Sequence, residues 1–161
     1  MGKMAPSLPV ELRTVYRMLK VAEATWGEQP ALHQPVGQGK YRTYSWVDYT
    51  RIAEEIAAGL HALGIRHGDI VGLASETRAE FYLADTGVMT NGSISAAVYT
   101  SLPPAEQVKT LKGCDARLIF IENAKTMRAL DSAGLNDLQV PRVLMDGEGP
   151  GAISFDQLRA M

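Results

Sequence analysis

Four short, uninterrupted apolar runs stand roughly 23 residues apart, each separated from the next by a helix-type pattern, and this alternation limits the chain to few architectures. The runs are Ile70-Val71-Gly72-Leu73-Ala74, Ile94 to Tyr99, Arg117 to Ile121 and Arg142-Val143-Leu144-Met145. They lack the in-out alternation of a half-exposed strand and read as strands buried on both faces, as in a parallel sheet. Connections of that length cross over right-handed and lay helices on the sheet. The expectation is an α/β fold of three layers, a mostly parallel sheet with flanking helices, preceded by a short helix and a hairpin.

The helices carry their own signals. Ser45 precedes a stripe of Tyr49, Ile52, Ala53, Ile56, Ala57, Leu60 and Leu63, with Asp48 in the first turn and Gly64 as the stop. Thr77-Arg78-Ala79-Glu80 reads as a capping box opening a helix that ends at Asn91-Gly92. Pro103-Pro104 suit a first helical turn, with Gly113 as the stop, and Ser154 caps a final helix. A weaker helix spans Ala124 to Leu130. Near the amino end, Leu12, Val15, Tyr16, Leu19 and Ala22 form one face of a basic amphipathic helix ending near Trp26-Gly27. Residues 31–33 and 40–44 flank a Gly-bearing loop at 34–39 and predict the hairpin. Residues 1–9 read as a flexible lead and the whole of 1–161 as one unit, which at 161 residues is long enough for a sizeable core.

With 16 Lys and Arg against 18 Asp and Glu, dispersed along the chain, there is no clustered positive charge for a phosphate backbone, so nucleic acid is not an expected partner. The single Cys114 excludes an intrachain disulfide and any multi-cysteine zinc site, and suits a reducing, cytoplasmic setting. It reads as a small buried side chain. His61 and His67 lack the spacing of a metal-binding pair, His33 stands alone, and no metal ligand set is expected.

In an open parallel sheet, ligands bind beyond the carboxyl ends of the strands. Ser75-Glu76-Thr77-Arg78 lacks the glycines of a dinucleotide site and reads as a cap. Tyr99, Thr100 and Ser101, with hydroxyls before a helix, are the candidate substrate-side loop, although Leu102 and the prolines stand where a phosphate cradle needs donors. Gly147-Glu148-Gly149-Pro150-Gly151 reads as a turn. No acid/base pair or nucleophile emerges, and no catalytic residue is assigned.

The order of these segments resembles the opening of adenylate-forming (AMP-binding) enzymes, the superfamily of acyl-CoA synthetases, adenylation domains and luciferases. Thr43-Tyr44-Ser45-Trp46, the helix ending Ala62-Leu63-Gly64, and Gly68-Asp69-Ile70-Val71 carry the resemblance. Ser75-Glu76-Thr77-Arg78-Ala79-Glu80-Phe81, Val98-Tyr99-Thr100-Ser101 and Ala116 to Glu122 are similar to the long-chain fatty acid CoA ligase branch. Thr77, Ala79, Phe81, Ser95 and Ala96 depart from that branch.

The resemblance implies the amino-terminal portion of an enzyme that uses ATP and magnesium to make an acyl adenylate and then a thioester of CoA. It further implies that the phosphate-gripping loop and the catalytic lysine lie beyond Met161, so that this portion binds no cofactor and is inactive alone. The remainder of the ligase would be its partner, with fatty acid as substrate of the whole. A homodimer or a peripheral membrane contact through the amphipathic helix at 10–24 are further interaction expectations. A freestanding α/β ligand-binding or signalling domain and a subunit-interaction module are the competing classes.

Overall fold

The computed structural model describes residues 14–161; the lead at 1–9 and the start of the first stripe lie outside the described residues. Helix α1, Val15–Trp26, is capped by Thr14, whose hydroxyl accepts from Arg17 N–H, and it buries Leu19 and Ala22. Val15 stays exposed and Tyr16 instead donates to Glu54 at 2.8 Å, so the expected apolar face of α1 is only half used.

Strands β1, Pro30–Gly37, and β2, Lys40–Ser45, form the hairpin. The expected six-residue loop shrinks to Gln38-Gly39, both at positive φ, which suits the twist of a tight hairpin. Pro35 is tolerated within β1 because it sits at a register irregularity of a two-stranded ribbon. Helix α2, Trp46–Ala62, opens with the expected Ser45, which forms a reciprocal capping box with Asp48.

Then follow β3 (Ile70–Ala74), α3 (Ala79–Thr90), β4 (Ile94–Ala97), α4 (Pro104–Gly113) and β5 (Leu118–Asn123). The chain continues with α5 (Ala124–Ser132), a 3-10 turn at Leu135–Asp137, β6 (Arg142–Asp146), β7 (Ile153–Ser154) and α6 (Phe155–Arg159). The five later strands form one parallel sheet in the order β4-β3-β5-β6-β7. β7 was not expected, because two residues are too short to make a pattern.

Side chains alternate across the sheet, which explains the continuous apolar runs. Val71, Leu73, Leu118, Phe120 and Val143 belong to one core with Ile56, Leu60 and Leu83 from α2 and α3 and Leu158 from α6. Ile119, Ile121 and Leu144 belong to a second core with Val108 and Leu111 of α4 and Met127 and Leu130 of α5. The three layers are therefore as the spacing predicts. The α2 and α6 backbones approach so closely that a Cβ at Gly59 would run into the Leu158 carbonyl oxygen.

Two helix ends differ from their sequence reading. Thr77 does not cap α3; the cap position is Arg78, with no side-chain capping bond. Gln34 of the hairpin reaches across instead, its Oε1 accepting from Ala79 N–H at 2.7 Å. Gly113 does not stop α4 but is its last residue, and the positive φ falls on Asp115 at 55°. Cys114 is half-buried there, with Sγ 3.4 Å from the Leu111 carbonyl.

The α2 and α6 surfaces are tied by Arg159, which donates to Glu55 at 2.8 Å, while Arg51 donates to Glu55 and Asp48 at 2.8 Å each. Burial works to raise the Glu55 carboxyl, but the hydrogen bonds from Arg159 and Arg51 outweigh it and hold it below its ordinary value. Arg51 and the Ser45 backbone do the same for Asp48. A carboxylate lowered in the folded state adds stability above its unfolded value, and that stability is lost as pH falls through the folded one. Urea midpoints should therefore hold steady from neutrality to about pH 5 and fall steadily below about pH 4. In the variant E55Q/D48N that acid-side fall should become shallower; an unchanged slope counts against these two carboxylates as its source.

Candidate functional site

The strand order reverses between β3 and β5, so the crevice beyond their carboxyl ends is where this fold offers a ligand site. At its mouth lies the protein's own acid: Glu122 Oε2, near the end of β5, accepts from Glu76 N–H at 3.2 Å. A carboxylate thus sits on the backbone donor that a phosphate would use. The hydroxyl of Ser75 is turned to the Glu76 carbonyl at 2.9 Å.

The candidate loop after β4 is likewise self-satisfied. Leu102 N–H donates to the Tyr99 carbonyl at 3.1 Å, and Gln107 Nε2 donates to the carbonyls of Thr100 and Leu102 at 3.3 and 2.8 Å. Tyr99 is 80% exposed and Ser101 is exposed, with Thr100 half-buried between them. The loop offers carbonyls inward and no ring of N–H groups, because Pro103 and Pro104 remove the donors from the start of α4.

A polar cavity of about 560 Å³ lies at the carboxyl end of β6, lined among others by Arg42, Tyr44, Glu80, Asp146, Glu148 and Arg159. Its deepest charge is Glu80, in the first turn of α3 and only 4% exposed. Arg78 Nε donates to Glu80 Oε2 at 2.7 Å, Tyr44 Oη donates to Oε1 at 3.2 Å, and Arg42 lies 3.5 Å from Oε1. Arg78 also stands 3.6 Å from Asp146. Burial raises the Tyr44 phenol above its ordinary value, and the hydrogen bond from Arg42 only partly offsets that, so the ring keeps the proton it donates to Glu80.

The cluster carries its own counter-charges and contains no nucleophile. It latches the hairpin onto α3, together with the Gln34 to Ala79 bond. Sequence reasoning placed Glu80 in a capping box and missed this role, since nothing local tells that residues 42, 44 and 80 meet.

An apolar groove of about 440 Å³ lies between α1, the start of α2 and Thr86 of α3, lined by Val15, Met18, Ala22, Trp26, Trp46 and Tyr49 among others. The rings of Trp26 and Trp46 stand 5.2 Å apart. Among the described residues no group of three or more His, Cys, Asp or Glu can hold a metal ion, and no helix is long and apolar enough to cross a membrane.

The residues present do not fit ATP and magnesium. A triphosphate requires converging N–H groups and free cations. At the switch point the N–H of Glu76 faces a carboxylate, and Arg78 is spent on Glu80 and Asp146.

The chain's likenesses agree with the fold. A family model described as AMP-binding enzyme matches residues 19–154. An uncharacterized protein of Mycobacterium tuberculosis is 35% identical over 92 residues, which are 57% of this chain and 51% of that protein. The 4-coumarate:CoA ligase 1 of Petunia hybrida is 31% identical over 115 residues, 71% of this chain but 21% of the ligase. Among solved structures, the anthranilate CoA ligase AuaEII in complex with anthranoyl-AMP superposes with a TM-score of 0.82 at 23% identity, covering 95% of this chain and 29% of that one. A Rhodopseudomonas palustris protein assigned as a long-chain-fatty-acid CoA ligase gives 0.79 at 20% identity, covering 90% and 36%. The aligned part of the chain thus makes up between 21% and 51% of these four proteins.

Proposed function

The chain belongs to the AMP-binding enzyme family, and from that premise we propose that it is the amino-terminal, scaffolding portion of an AMP-forming acid:CoA ligase. The observation that carries this reading is the mismatch of coverage: the family match fills most of this chain, yet the aligned part is 21% of the plant ligase and 29% of the anthranilate ligase structure. ATP, magnesium and CoA would then be held by residues outside this chain, which accords with the Glu76 N–H at the end of β3 already being bonded to the Glu122 carboxylate. In this role the sheet supports the nucleotide-binding parts of the enzyme, in a reducing cytoplasm that suits the lone Cys114.

For the acid we propose a long-chain fatty acid. Support comes from the Ser75 to Phe81 segment and its likeness to that branch, and from the fold shared with the Rhodopseudomonas palustris protein. Relatives named for 4-coumarate and anthranilate make the aryl acids the competing class.

Reading the gene past Met161 tests the first part. A Ser/Thr/Gly-rich loop ending in lysine should follow in frame, and a stop codon directly after Met161 contradicts the proposal. Thioester formation by the full product tests the second: hexadecanoate should be used in preference to 4-coumarate and benzoate, and the reverse order refutes the fatty acid.

A freestanding module is favoured by one observation. Ninety-two aligned residues make up half of the Mycobacterium tuberculosis relative, so that protein is not much longer than this one. The same stop codon would decide for it.

A further inference from the structure

The turn between α3 and β4 calls for two residue types side by side. Gly92 lies at φ 77°, in the left-handed region, and a Cβ there would stand 2.9 Å from His67 Cδ2, so the position suits glycine. Asn91 before it donates through Nδ2 to the Ile65 carbonyl at 3.3 Å and to Ser93 Oγ at 2.8 Å. Ser93 Oγ donates in turn to the Arg66 carbonyl at 3.1 Å, and Gly68 N–H donates to the Gly92 carbonyl at 2.9 Å. These bonds fasten the turn to the loop between α2 and β3. An ionised aspartate at 91 would have no N–H to give to the Ile65 carbonyl, so the fold asks for the amide.

The same requirement produces the one Asn-Gly pair of the chain; the other asparagines, Asn123 and Asn136, precede Ala124 and Asp137. After an asparagine, a glycine leaves its peptide nitrogen unshielded by any side chain, and that nitrogen can attack the amide carbon. Gly92 N would bond to Asn91 Cγ, and the displaced NH₂ would leave as ammonia with the proton from the attacking N–H, closing a five-membered succinimide. Water then opens the ring at either carbonyl, leaving aspartate or isoaspartate.

The closed turn holds these atoms back. Gly92 N–H is bonded to the Met89 carbonyl at 3.0 Å, and Asn91 keeps a helical φ of −68° and ψ of −9° with its amide pinned to the opposite loop. Both residues are only half-buried, so the water that opens the ring can reach them. Beside them Thr90 Oγ1 is buried without a hydrogen-bond partner, which weakens this helix end.

We propose that Asn91-Gly92 is a spontaneous modification site kept inert by its own turn: the succinimide forms when the end of α3 opens, and the isoaspartyl product then keeps the turn from closing. Isoaspartate adds one carbon to the backbone between residues 91 and 92. The bonds from Gly92 to Met89, Ser93 to Val88 and Gly68 to Gly92 cannot all hold their register on the longer chain. Opening of this corner thus leaves a covalent record. The proposal stands independently of the ligase reading.

Incubating the chain in mildly alkaline buffer, folded and in guanidinium chloride, tests it by peptide mapping for the exchange of NH for O, with Asn123 and Asn136 as internal references. In denaturant Asn91 should convert first of the three. In the folded chain its conversion waits on local opening and should be at least about tenfold slower. Ser93→Ala removes one acceptor of the amide and the bridge to Arg66. Shown to be folded by circular dichroism, it should convert severalfold faster than the folded wild type, with the denatured rate unchanged. Once denaturant is removed, chains bearing isoaspartate should exchange their β4 amides at least about tenfold faster than unmodified chains in the same sample.

Equal rates in the folded and denatured wild type overturn the proposal. A folded Ser93→Ala chain no faster than the wild type, or isoaspartyl chains that regain the exchange rates of unmodified ones, also overturn it.

Discussion

Phe120→Ala should cost about 3–5 kcal/mol, the range for emptying a fully buried aromatic site. Phe120 is fully buried in the middle of β5, between Leu73 of β3 and Val143 of β6 in the parallel register. Its ring meets Phe155 at 6.3 Å and 66°, an edge-on arrangement that joins the central strand to α6. Rigid neighbours on both sides leave the cavity no way to collapse, which places the cost high in that range. Domains of this size have a total stability of about 5–15 kcal/mol, so the variant should be close to unfolding. Urea denaturation followed by circular dichroism measures the loss, and a value under about 1 kcal/mol would mean that β5 is not the centre of the core.

The second large effect is expected at the hairpin latch. Glu80→Ala removes the acid shared by Arg78, Tyr44 and Arg42. Arg78 is largely buried, its side chain 16% exposed, and keeps Asp146 at 3.6 Å and the weaker pull of Glu122. Breaking a buried pair from one side costs about 3–5 kcal/mol, and the remaining partner puts this case near the lower figure, about 3. Arg42 adds little, because its side chain is 61% exposed and water screens it. The loss should be local as well as global. Backbone amides of β1 and β2 should exchange at least tenfold faster in Glu80→Ala, while those of β5 slow or quicken only with global stability. Equal acceleration in both places would show that Glu80 supports the core rather than the hairpin.

Elements whose cause is local were legible in the sequence. Ser45 with Asp48, and Ser154 with Gln157, form their capping boxes because the partners lie three residues apart. The buried strands announced themselves because both their faces are covered, so alternation disappears from the sequence. Elements settled by distant residues were not legible. Thr77 fits a cap by spacing, yet Gln34, 45 residues away in sequence, supplies the acceptor to Ala79 instead. The stop assigned to Gly113 falls on Asp115, since Gly113 keeps the helical backbone as the last residue of α4 and the positive φ comes two residues later.

The loop at Tyr99, Thr100 and Ser101 was singled out for its hydroxyls, but its geometry depends on Gln107, which closes it with two donated bonds. The occupation of the switch point by Glu122 lay equally outside sequence reasoning, because it pairs the ends of two strands 46 residues apart.

The central claim is that this sheet is a support whose phosphate-binding partners belong to other parts of a ligase. Incubating the purified chain with ATP, magnesium and hexadecanoate, and following pyrophosphate release, tests that claim most directly. The release should equal the background seen without the acid. Acid-dependent pyrophosphate above that background, abolished by heat denaturation of the chain, would contradict it.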